Sequence, residues 1–138
     1  AYASVYGHLK AAVEELASAL EARGQKVSVF DLARDDMAEA VEDAFRYDRL
    51  VLASITYQGE IFPFMSTFIH TLAEHAYQNR TVALVEAGSW APTAAKVMTK
   101  ELEGMKDITL AQNKVTVLGS LNDASRAQIE VLADELSK

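Results

Sequence analysis

A chain of 138 residues, half apolar and about a quarter charged, has enough material to bury a core, which excludes a disordered or fibrous class. A net charge of -7 argues against a nucleic-acid partner or an anionic membrane surface, since either needs a basic face. With no cysteine there is no disulfide framework, thiolate metal site or thiol chemistry; no signal peptide or membrane-length apolar run is visible, and the expected compartment is the cytoplasm.

The opening Ala1-Tyr2-Ala3 reads as the tail end of a strand. It predicts a piece of a longer chain, its first strand truncated, with residues 1–138 forming one domain. Leu9, Val13, Leu16 and Leu20 then recur at spacings of three and four beside small Ala12 and Ala19, an amphipathic helix closed by Gly24. Lys26 to Phe30 alternates and ends at Asp31, which predicts a short strand. Asp36 to Phe45 predicts a helix with Met37, Val41 and Phe45 inward. Leu50 to Ala53 is a continuous apolar run, the pattern of a strand buried on both faces.

A third helix is expected from Pro63, a residue tolerated at the first helical position, through Phe64, Phe68, Ile69 and Leu72. Thr81 to Val85 predicts another buried strand. Thr93 to Leu102 predicts a helix with Val97 and Met98 inward, and Ile108 to Leu118 a fifth strand. Asp123 starts a last helix through Ile129, Leu132 and Leu136. Strand and helix alternate five times without a linker or repeat. That order builds an open parallel sheet with helices on both faces, whose ligands bind beyond the strands' carboxyl ends.

Three strand-end loops stand out. In Ser4-Val5-Tyr6-Gly7-His8-Leu9, directly before a helix, backbone N–H groups and the Ser4 hydroxyl could hold a phosphate, and Gly7 lets the backbone approach closely. A serine and a glycine there are also an ordinary turn. The stretch from Ser54 to Pro63, including Ile55, Thr56, Tyr57, Gln58 and Gly59, is longer and more polar than a minimal connection requires. Ala87, Gly88, Ser89, Trp90, Ala91 and Pro92 carry the only tryptophan, a surface plug or one wall of a slot for a flat ring.

Together these loops resemble the flavodoxin family, and most closely the flavodoxin-like domain of the A-type flavoproteins (flavodiiron proteins). Ser4, Tyr6 and Gly7 match the family's first loop. Ser54, Thr56, Tyr57, Phe62 and Pro63 echo its Ser-Pro-Thr-Tyr-Asn stretch running on to Phe-Pro, and Gly88 and Trp90 echo its third loop. The resemblance implies a three-layer α/β/α domain whose five-stranded parallel sheet has the order 2-1-3-4-5. It implies flavin mononucleotide (FMN), its phosphate on the first loop and its ring between the other two, near Tyr57 and Trp90. Backbone groups around Thr56 to Gly59 would face the ring's N5 and pyrimidine edges.

Four positions depart from the pattern. Leu9 stands where the family has a phosphate-binding Thr, Ile55 replaces a Pro, and Glu86 and Pro92 replace glycines. No side chain need act as acid, base or nucleophile, because the flavin carries the chemistry. The implied role is electron transfer within an oxidoreductase that reduces oxygen or nitric oxide. Its donor would be a rubredoxin-like protein or a flavin reductase, and a metallo-β-lactamase-like di-iron domain would precede it. A homodimer is a further implied assembly. The alternative is a domain that has lost effective flavin binding and serves docking or dimerisation. His8 could donate to a phosphate or be an exposed loop residue; His70 and His75 are too far apart for a local metal pair and read as surface or half-buried helix residues, and three scattered histidines cannot supply a di-iron centre. A phospho-acceptor receiver domain has the same architecture but needs acidic residues where Ser4 and Ser54 stand, and a Lys where Gly119-Ser120 stands; it is excluded.

Overall fold

The computed structural model describes residues 1–3, 7–57, 60–61, 63–88, 93–118 and 121–137; for residues 7, 8, 56, 57, 60 and 61 only the backbone is described. Its strands are β1 (Tyr2–Ala3), β2 (Arg49–Tyr57), β3 (Glu60–Ile61), β4 (Arg80–Gly88), β5 (Ile108–Leu110) and β6 (Val115–Leu118). Its helices are α1 (Gly7–Ala22), α2 (Met37–Arg46), α3 (Pro63–Glu74), α4 (Ala94–Leu102) and α5 (Asp123–Leu136).

The apolar runs at the centre become β2 and β4, paired in parallel from Arg49 against Thr81 to Ile55 against Ala87. Successive side chains along β4 go to opposite faces. Val82 and Leu84 pack with Ala40, Phe68, Ile69, Leu72 and Met98 of α2, α3 and α4. Ala83, Val85 and Ala87 pack with Leu9, Leu16, Ile129 and Leu132 of α1 and α5. The sheet is therefore covered on both sides, and the three-layer α/β/α reading holds.

The expected second strand is the main correction. Lys26 to Phe30 forms no strand, and only an isolated parallel bridge joins Tyr2 to Asp31. Tyr2 N–H donates to Phe30 O (2.9 Å) and Leu32 N–H to Tyr2 O (2.9 Å). A strand needs a neighbour along its length, and β1 offers two residues. The segment nevertheless lies at the edge beyond β1, so the order is 26–31, β1, β2, β4 and then β5 with β6, which is the expected 2-1-3-4-5.

The fifth strand is split. β5 pairs with β4 at residues 80–82 and β6 at residues 85–88, so five residues forward from Leu110 to Val115 answer three on β4. The intervening excursion is held from outside the sheet. Glu135 of α5 accepts from Gln112 N–H (2.8 Å), Asn113 N–H (3.0 Å) and Asn113 Nδ2 (2.7 Å).

Local signals set the helix ends. Asp36 caps α2 by accepting from Ala38 N–H (2.9 Å), and Asn122 with Ser125 forms a reciprocal capping box on α5. Gly24, at φ 83°, ends α1. Its N–H donates to Glu21 O (3.0 Å), and Gln25 N–H reaches back to Leu20 O (3.0 Å), the double bond pattern of a left-handed helix stop. A Cβ there would meet nothing within 4 Å. Gly24→Ala should therefore cost only the left-handed backbone penalty, about 1 kcal/mol, read as a lower urea midpoint with unchanged m-value. A neutral result would remove the backbone argument.

Candidate functional site

Parallel register brings the strand ends together. Ala3 lies opposite Ser54, and Ser54 opposite Glu86, so the carboxyl ends of β1, β2 and β4 are neighbours. Adjacent strands are spaced by about 4.8 Å, so the three chain departures fall within roughly 10 Å. After β1 the chain enters α1, packed with α5 on one face; after β2 it enters α3, packed with α2 and α4 on the other. The winding reverses between β1 and β2, which is where open α/β sheets bind ligands.

Gly7 and His8 are the first two residues of α1, and no acidic residue stands in its first turn. The orphan N–H groups of this helix start keep their positive character at the switch point. Leu9 is 1% exposed, and its side chain packs in the α1/α5 core. The position can face a ligand only through its backbone. Ser4, Val5 and Tyr6 lie outside the described residues.

The segment read as a long loop from Ser54 to Pro63 is largely regular. β2 continues to Tyr57, and Thr56 and Tyr57 pair antiparallel with Ile61 and Glu60. A tight hairpin, with Gln58 and Gly59 outside the described residues, thus projects from the carboxyl edge. The described part of this hairpin is the two antiparallel residue pairs that prolong β2. Ser54 is fully buried and donates its hydroxyl to Ile55 O (3.0 Å), while Ile55 packs on the α1/α5 face. The third loop also starts later than expected, because Ala87, which is buried, and Gly88 belong to β4. Ser89, Trp90, Ala91 and Pro92 lie outside the described residues.

Glu86, which stands where the family pattern has a glycine, is a buried acid near the end of β4. Its carboxylate is 3% exposed and fully engaged. Oε1 accepts from Ala95 N–H at the start of α4 (3.0 Å), and Oε2 accepts from the Thr116 hydroxyl (2.8 Å) and faces Lys114 Nζ at 3.3 Å. A cap of this kind suits the positive end of a helix. The available signal was one acid inside an apolar strand, where burial demands partners.

His70 and His75 are exposed on α3 and in the turn that follows it, and His70 Nε2 lies 3.9 Å from Glu101 Oε1. Among the described residues, no three His, Asp or Glu side chains stand together as metal ligands. No described helix is long and apolar enough to cross a membrane.

A sheet wound in both directions from β1 and β2, with helices on both faces, defines a doubly wound α/β domain. The sequence model of the family described as Flavodoxin domain matches residues 1–125, and the chain belongs to that family. No protein of curated function matches it in sequence. Among solved structures it is similar to the rubredoxin oxygen:oxidoreductase of Desulfovibrio gigas, with a TM-score of 0.92 at 17% identity over 99% of this chain and 34% of that one. The flavodiiron protein of Giardia intestinalis gives 0.88 at 13% identity, over 99% and 34%. Oxidised Flavodoxin 1 of Bacillus cereus gives 0.82 at 15% identity, over 97% and 92%. The chain thus spans about a third of the two larger proteins and nearly all of the small flavodoxin.

Proposed function

We propose that this domain binds FMN and transfers electrons as the flavin module of a flavodiiron-type oxidoreductase that reduces oxygen or nitric oxide. The observation that carries the reading is the switch point, where an acid-free helix start and a short antiparallel pairing at the end of β2 follow adjacent strands. The residues present fit the group. Backbone N–H groups of Gly7, His8 and Leu9 would take the phosphate, with the Ser4 hydroxyl beside them. The hairpin backbone from Thr56 to Gly59 would face the ring edge, with Ala87 to Ser89 on the opposite side. Tyr57 and Trp90 would flank the ring. Bound FMN supplies one- and two-electron transfer; the protein's part is to bind the ring, orient it and limit water around it.

Residues 1–138 would form one domain in a larger cytoplasmic protein that also carries a metallo-β-lactamase-like di-iron domain. A rubredoxin-like protein or flavin reductase would be the donor, and two copies would pair in the assembly. That the chain spans 34% of the two larger proteins supports a place within a longer one.

Titration of FMN with the protein should quench flavin fluorescence. Tyr57→Ala or Trp90→Ala should each weaken binding by about tenfold, the loss of one ring contact of about 1–1.5 kcal/mol. Unquenched FMN at protein concentrations well above the micromolar range would end this reading. A docking or dimerisation role would then stand, and the burial of Leu9 is what favours it. One missing phosphate hydroxyl costs roughly 1–2 kcal/mol of affinity.

A further inference from the structure

We propose that the groove between α2 and α3 is a docking site for a basic amphipathic helix of a partner protein. Its floor is one apolar stripe, Met37, Val41 and Phe45, spaced by four residues along α2 and only partly buried by the core beneath it. Ala38 and Glu42 form the exposed lip on α2, and Thr71 and His75, also four apart, form the wall on α3. Phe64, 43% exposed, stands seven residues before Thr71 and extends that side of α3 with a further apolar residue. From Met37 to Phe45 the stripe rises about 12 Å, the length of two helical turns. A furrow of that pitch between two helices is filled by a third, whose anchors recur at i, i+3, i+4 and i+7.

Charge decides which helix fits. Residues 31–48 hold seven acids against two arginines, which is -5 of the chain's net -7. Both arginines already face acids of the same stretch: Arg46 lies 3.1 Å from Asp43 and 3.5 Å from Glu42, and Arg34 lies 3.9 Å from Asp31. No Lys or Arg occurs from 50 to 79, so α3 brings no cation of that kind, and Glu74 adds an acid. The lysines of this helical layer, Lys96 and Lys100, stand on α4 instead. An apolar floor under an acidic lip takes an apolar face flanked by Lys or Arg, and it repels an acidic partner or an anionic membrane. The surface belongs to the helices rather than to the strand ends, so the inference does not rest on the FMN reading.

Fluorescence anisotropy tests it on the whole chain, with a labelled peptide of about 18 residues that carries leucine on one helical face and lysine on the other. The peptide should bind saturably with a dissociation constant in the micromolar range at about 50 mM salt, and more weakly at about 0.5 M. The same composition in scrambled order should bind at least about tenfold more weakly. Ala38→Arg, which places bulk and a cation on the lip, should weaken binding about tenfold, and Glu42→Gln roughly threefold. Glu42→Lys gives the same reading if Ala38→Arg does not fold. Glu130→Gln, on the acidic surface of α5, should leave binding unchanged. No saturable binding, equal binding of the scrambled peptide, or an equal loss in Glu130→Gln would overturn the proposal, the latter two reducing it to general charge attraction. A parent protein that sediments as a dimer, and that Ala38→Arg makes monomeric, would also overturn it and assign the groove to a second copy of this chain.

Discussion

Adding three or four strand-forming residues ahead of Ala1 is expected to stabilise the fold by about 4 kcal/mol at acidic pH and to flatten its dependence on pH between 5 and 8. The amine of half-buried Ala1 donates to Val51 O (3.0 Å), and desolvation pushes its pKa down from 8.0 to about 5. In a chain that begins at Ala1, the unfolded state holds a proton up to pH 8 and the folded state only up to about 5. Across that window the unfolded form binds more protons, so stability rises with pH and is lost as pH falls. An added residue replaces the amine with a peptide N–H that has no such titration. It would also enter a cavity of about 160 Å³ lined by Val27, Val29 and Phe30 on one side and Leu50 and Val51 on the other, with Leu16 and Leu20 also on its wall. Lys26 to Phe30 would gain the neighbour that two-residue β1 does not give it, and should convert to a strand. Urea titrations from pH 5 to 8 on both chains measure the two slopes. Equal slopes would show that the amine is not buried in solution.

The same segment shows where sequence reading reached its limit. Its alternation was legible, but whether a strand forms depends on pairing with residues far away in sequence. Helices carry their own hydrogen bonds, so α1, with its stripe and Gly24 stop, and α5, with its start at Asp123, were readable locally. The split between β5 and β6 was not, because Glu135 holds the excursion from α5, more than twenty residues further on.

Two site positions make the point more sharply. Leu9 was both the first residue of the α1 stripe and the place of a missing hydroxyl; the structure gives weight to the stripe, since the side chain is core. Glu86 read as a lost glycine because a family pattern records what a loop usually contains. The acid at that place has its own partners on α4 and β6, and only the three-dimensional register shows them. The convergence of the three strand ends was legible because the parallel order alone dictates it. The hairpin was hidden because Thr56, Tyr57, Glu60 and Ile61 form too short a run for alternation to register.

Tyr77→Ala should destabilise the protein by about 4 kcal/mol, whereas Tyr77→Phe should be neutral or stabilising by about 1 kcal/mol. Tyr77 is the largest fully buried side chain among the described residues, 1% exposed, in the connection between α3 and β4. Phe45 meets its ring edge-on at 5.0 Å, and the Arg80 guanidinium lies 5.3 Å from its centroid. Arg80 is held by the carbonyls of Phe45 (3.0 Å), Tyr47 (3.0 Å) and Gln78 (2.6 Å), so the ring fills a site that cannot readily collapse when emptied. Its hydroxyl, by contrast, finds no hydrogen-bond partner among the described residues. Phenylalanine keeps the edge contact and the cation over the ring while removing an unsatisfied polar group. The phenol also has a pH signature. Burial pushes its pKa up from 10.0 to about 12, against the opposing charge of Arg80. Above pH 10 the unfolded chain releases a proton that the folded chain keeps, so stability falls between pH 10 and 12, by roughly 3 kcal/mol from this group. Tyr77→Phe should lack that share of the alkaline decline. Urea midpoints at pH 8 and pH 11 for the three proteins separate the ring from the hydroxyl. A Phe variant as unstable as the Ala variant would mean that the hydroxyl, and not the ring, holds this end of the sheet.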